Sequence, residues 1–149
     1  MGASVEETHV RQYLVVANQT LGHAPLLERI LACHRAEPSS FHLLVPATDA
    51  QDHDRWTRGE ATAMAGRRLV RALDHLRGCG VAVHGEVGDP SPLVAIGAAL
   101  RQRSFDELII STLPERRSRW LRAGLPERIE ALFGVPVIHV SADLAGAQP

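Results

Sequence analysis

The chain contains no lysine: all sixteen of its basic residues are arginine. A Schiff-base lysine, a P-loop lysine and a kinase-type lysine are thereby excluded. Cysteine is scarce too, with Cys33 and Cys79 far apart and no second cysteine at metal or redox spacing. They read as two small thiols in a reducing compartment. Aromatics make up only 4% of the 149 residues, so a composition that is 45% hydrophobic must build its interior from Leu, Val, Ile and Ala. Neither sign of charge dominates, and a net charge of -1 gives no long-range field toward nucleic acid or an anionic membrane. No apolar run approaches the roughly 18 residues of a membrane span. Residues 1–10 carry Glu6 and Glu7 and lack the apolar stretch of a secretory signal. The expectation is a soluble, cytoplasmic protein: a polar leader (1–10), one domain (11–142) and a flexible small-residue tail (143–149).

What is present alternates short apolar runs with longer segments of helical period, the pattern of stacked βα units. The run 13–17, Tyr-Leu-Val-Val-Ala, is continuous rather than alternating, as a parallel strand covered on both faces requires. Pro25 opens a helix with Leu27, Ile30, Leu31 and His34 on one side. A second strand at 41–45 closes at Pro46, and the longest helix, about 56–77, carries the stripe Ala65, Leu69, Leu73 and Leu76. Arg67, Arg68 and Arg71 fall on its other faces and read as solvated charge. Residues 81–87 alternate as an edge strand, and Asp89 or Ser91 caps a helix with Pro92 in its first turn. Strand 108–110, a helix opened by Pro126 with Ile129, Leu132 and Phe133 inward and Gly134 past its end, and strand 135–140 complete the set. Five strands and four intervening helices predict an α/β fold, a three-layer sandwich around a five-stranded parallel sheet.

In such a sheet the ligand crevice lies beyond the carboxyl ends of the strands, so the loops 18–22, 46–54, 88–92 and 111–124 matter most. The last holds four arginines within seven residues, Arg116, Arg117, Arg119 and Arg122. Around it the residues carry a likeness. Gly88-Asp89-Pro90 stands before a helix, followed by Phe105-Asp106-Glu107-Leu108-Ile109-Ile110-Ser111-Thr112. Next come Ser118-Arg119-Trp120-Leu121, Glu127-Arg128-Ile129 and Val135-Pro136-Val137-Ile138-His139-Val140. In this order they resemble the universal stress protein family, and with Val15-Val16-Ala17-Asn18 at the first strand the resemblance extends over about 11–140. It implies a UspA-like stress-response domain, often a homodimer through the last strand, whose ATP-binding members hold nucleotide at the tops of the first and fourth strands. By position it places Asn18 where those members have an aspartate near the ribose and Val45 where a valine meets adenine. Ile110 and Ser111 match the end of the fourth strand, and Ala123, Gly124 and Leu125 the segment that cradles phosphate.

The family's ATP pattern of three spaced glycines is altered here. Ser111 replaces the first, the second lands at or beside Pro114, and Ala123-Gly124 replaces the final pair. Glycine lets a backbone approach phosphate closely, whereas proline fixes φ and offers no N–H. Two lost donor contacts at about 1 kcal/mol each weaken binding on the order of thirtyfold. The four loop arginines are candidate anion-binding residues that compensate, or else a solvated basic loop paired with Glu115 and Glu127. Trp120 reads as a packing residue. Asp49, Asp52, His53 and Asp54 lack a fixed metal spacing and read as an acidic loop with Asp54 as a cap; no metal is expected. His42, His84 and His139 read as structural or edge residues. A Ser111 nucleophile has no Gly-x-Ser-x-Gly elbow around it, and no catalytic residue is assigned. The expected function is a binding or regulatory domain with weak or absent ATP binding, whose ligand is ATP or another adenine nucleotide, another nucleotide, or an anionic small molecule. A ligand-free dimerisation module is the alternative, and a phosphate-processing enzyme comes third.

Overall fold

Four strands carry the apolar runs that a doubly covered sheet demands, and the chain folds accordingly. The computed structural model describes residues 9–47, 58–114 and 118–142. Its elements are β1 (Arg11–Val16), α1 (Ala24–Ala36), β2 (Ser39–Pro46), α2 (Arg58–Gly78), β3 (Val83–Gly88), α3 (Pro92–Gln102), β4 (Glu107–Thr112), α4 (Arg119–Arg122), α5 (Leu125–Phe133) and β5 (Val137–Ser141). The strands lie in the order β3-β2-β1-β4-β5. Every pairing is parallel. The α/β sandwich read from the sequence is therefore the observed fold.

Alternation along β1 divides the core into two layers. Tyr13 and Val15 join Phe41, Leu43 and Val45 beneath Leu26 and Ile30 of α1 and Ala65, Leu69 and Leu76 of α2. Leu14 and Val16 join Leu44, Leu108 and Ile110 beneath Ala95 and Ile96 of α3 and Leu125 and Ile129 of α5. Two helices thus cover each face. The chain runs outward from β1 through β2 to β3, then crosses back to β4, so the switch between directions falls at the β1–β4 pair.

Several sequence expectations are corrected in detail. Leu132 does not face inward but is 62% exposed. Successive helical residues turn by about 100°, so the arc that buries Pro126 and Ile129 passes Leu132 at its margin, in the last turn. A fifth helix, the single turn α4, stands between β4 and α5, capped where the Ser118 hydroxyl accepts from Leu121 N–H. The edge strand β3 begins at Val83 rather than Val81. The turn at Gly80, whose φ is 84°, holds Val81 N–H against Leu76 O. The cap of α3 is Ser91, with Asp89 accepting from its backbone N–H at 2.8 Å. Both cysteines are free thiols. No helix among the described residues is long and apolar enough to cross a membrane.

The strand histidines form part of the sheet's second face. His42 is buried, with Nε2 2.8 Å from Glu86 Oε2, and its ring lies 4.9 Å from that of His84, its register partner on β3. Arg103 lies 2.6 Å from His84 Nε2. A guanidinium only donates, so this nitrogen must accept and His84 is neutral. Burial, then His42, Arg103 and Arg77, push its pKa below the ordinary 6.5. The unfolded chain therefore takes up this proton first as pH falls, and stability drops below about pH 6.5 because the unfolded state binds more protons. Urea titrations at pH 7.5 and 5.5 should show this loss, and His84→Gln should reduce it. Equal losses in the two proteins would contradict the assignment. Asp106, held below the usual carboxylate range chiefly by the Gln12 N–H, contributes in the same direction only at more acid pH.

Candidate functional site

At the switch point the tips of β1 and β4 meet through polar side chains that the surrounding strands bury. Val16 pairs with Ile110 in register, and each chain then leaves the sheet toward an opposite face. Beyond β1, Leu21 N–H donates to Asn18 O and His23 N–H to Thr20 O, closing a tight turn that leads into α1. Thr20 and Ser111, each 2% exposed, share a hydrogen bond of 2.6 Å between their hydroxyls. This bond ties the two tips together. Next to it, buried Thr112 bonds His139 Nε2 at 2.8 Å.

Asn18, 4% exposed, sits at the centre of the arrangement. Its Nδ2 donates to Pro46 O at 2.7 Å, and its Oδ1 accepts from the Arg68 guanidinium. A carbonyl only accepts and a guanidinium only donates, so these two partners fix which way the amide faces. Arg68 is thus not the solvated charge expected from the sequence. It is half-buried, and that burial, followed by neighbouring Arg67, lowers its pKa. Arg68 lies at the margin of the stripe between Ala65, Leu69 and Ala72, while exposed Arg67 lies behind it; the period gives this placement but not the reach to Asn18. Thr20, Thr112 and Ser118, all buried, also stand in or next to the loops that the topology singles out.

The remaining candidates separate by burial. Val45, Ile110 and Leu125 are buried side chains, the first in one core layer and the other two in the second. Gly124 is the N-cap of α5 with φ 68°, a conformation that favours glycine. Its N–H donates to Leu121 O, and that of exposed Ala123 to Arg119 O, so both amides already serve the α4 turn. Arg119 and Arg122 are exposed. Arg116 and Arg117 lie outside the described residues, as do Glu115 and the acidic group Asp49, Asp52, His53 and Asp54. Trp120 packs half-buried against the second core layer. Among the described residues no group of three or more His, Cys, Asp or Glu side chains is arranged to hold a metal ion.

This is a doubly wound α/β domain with a buried polar junction at its topological switch point. Its fold is that of the universal stress proteins. A universal stress protein family protein from Arabidopsis thaliana, solved with AMP bound, matches it with a TM-score of 0.63 at 13% sequence identity. The match covers 93% of this chain and 95% of the other. No family model matches the sequence, and no curated protein does.

Proposed function

We propose that residues 11–142 form a cytoplasmic binding or regulatory domain of the universal stress type, whose crevice at the β1 and β4 tips takes an adenine nucleotide or another anionic small molecule. The observation that carries this is the buried polar junction of Asn18, Thr20 and Ser111 at the switch point, where doubly wound sheets receive their ligands. The bound AMP of the Arabidopsis thaliana protein supports the ligand class. Affinity for ATP is weak in this reading. Pro114 supplies no N–H, and the amides of Ala123 and Gly124 are spent within the chain.

Titration calorimetry of the full chain with magnesium ATP tests the reading. It predicts binding weaker than micromolar, and sub-micromolar affinity would overturn it. A second reading rests on β5, which pairs with β4 alone among the described residues and leaves its outer edge open to another copy. A persistent dimer in sedimentation with no response to any nucleotide would favour that dimerisation module instead.

A further inference from the structure

The position that the family resemblance assigns to ribose has changed its chemistry here. An aspartate following β1 would carry a charge and two acceptor oxygens. Asn18 is neutral, and its one side-chain acceptor receives the Arg68 guanidinium while its amide nitrogen is held by Pro46 O. With one of that oxygen's two lone pairs taken by a charge-assisted hydrogen bond, it offers ribose hydroxyls fewer acceptor positions than a carboxylate would. Asn18 also leaves the Arg68 charge in place. Among the described residues no carboxylate lies within ion-pair distance of Arg68.

A half-buried guanidinium bonded to a neutral amide has donors to spare, because five N–H groups share one planar fork. Burial has removed part of its hydration, and among the described residues no carboxylate supplies an opposite charge. A phosphate at the tip of β1 satisfies both deficits, and the bond to Asn18 restrains the guanidinium before the ligand arrives, which lowers the ordering cost of binding. Arg68 reaches the strand tips from α2, which covers the opposite face from α5.

Resting on the function proposed above, we infer that Arg68, positioned by Asn18, is an anion-binding residue of the crevice, and that the site recognises a phosphate-bearing small molecule by its phosphate rather than by its ribose. Calorimetry of the full chain with pyrophosphate, AMP and adenosine tests this. Pyrophosphate and AMP should bind at least tenfold more tightly than adenosine. Arg68→Gln should weaken both by about tenfold to a hundredfold, the range for a hydrogen bond to a charged group. Arg68→Lys, which keeps the charge, should retain most of the affinity. Asn18→Asp should weaken phosphate binding as well, since the new carboxylate would take Arg68 as its partner.

The failures are distinguishable. Adenosine binding as tightly as AMP, with Arg68→Gln unchanged, overturns the inference and leaves the crevice as a nucleoside site. Absence of binding by all three probes to the unsubstituted chain overturns the functional reading itself, and the inference with it.

Discussion

Phe41→Ala should cost about 3–5 kcal/mol of folding stability, the range for emptying a buried aromatic site. Phe41 has no exposed surface, and its ring stacks on that of Tyr13 with centroids 4.9 Å apart and planes 9° from parallel. The two are register partners on β1 and β2, so the stack joins the strands whose ends carry Asn18 and Pro46. Alanine would open a cavity between a central strand pair and the helices above it, where neighbouring side chains are already committed to the same layer. For a chain of this size the melting temperature should fall on the order of 10 °C or more. Leu132→Ala, at the exposed site that helical spacing would place inward, should change stability by no more than about 0.5 kcal/mol. Urea denaturation of the pair measures the contrast, and similar losses in both would contradict the burial assigned to them.

A single methyl group added at position 85 should have the second largest effect. The Cβ of Gly85→Ala would stand 2.6 Å from Leu43 O, 2.8 Å from Leu69 Cδ1 and 3.0 Å from Leu43 Cβ. The carbonyl belongs to the strand ladder between β2 and β3 and cannot swing aside, so the edge strand or α2 must move. Overpacking of this kind costs about 1–3 kcal/mol. Because Leu69 is next to Arg68, displacement of α2 should also draw the guanidinium away from Asn18 and weaken phosphate binding. Gly66→Ala, one turn earlier on the same helix, meets no atom within 4 Å. It should raise stability by roughly 0.5–1 kcal/mol through lost unfolded-state freedom and better helix propensity. Thermal melts of the two variants should therefore shift in opposite directions, and a neutral Gly85→Ala would show that β3 is less tightly apposed than its geometry indicates.

Much of this architecture was readable because parallel strands covered on both sides leave an unambiguous trace. The apolar runs at 13–17 and 108–110, and the run 41–45 interrupted only by His42, bounded by turn residues, fit such strands. Proline at the first turns of α1, α3 and α5, and glycine after α5, marked the helix ends for equally local reasons. The meeting of the β1 and β4 tips, seen in the Thr20–Ser111 bond, followed from topology, since the switch point is fixed once strand order is known. Side-chain reach was another matter. Arg68 lies on the flank of its helix, and whether such a residue extends into water or bends to a strand tip depends on a tertiary distance that periodicity does not encode. Leu132 fails for the converse reason: its spacing from Ile129 is close to helical, but it lies at the margin of the buried arc, while the next residue, Phe133, packs against the core. The turn α4 is too short to show a period, and its cap at Ser118 becomes visible only with the bond to Leu121 N–H.

The similarity to the Arabidopsis thaliana protein lies in the fold, at an identity of 13%. Chemistry at the strand tips therefore has to be argued from this chain's own residues. Two hydroxyls joined across β1 and β4, an amide of fixed orientation and a half-buried arginine describe a junction organised before any ligand binds.

Amide and arginine side-chain NMR shifts recorded while pyrophosphate is added to the isotope-labelled full chain address the central claim most directly. The account predicts perturbations concentrated at Asn18, Thr20, Ser111 and Thr112, together with the Nε–H of Arg68. Perturbations confined to the far ends of the strands, around Gln12 and Asp106, or to the His42 and His84 face, would contradict it.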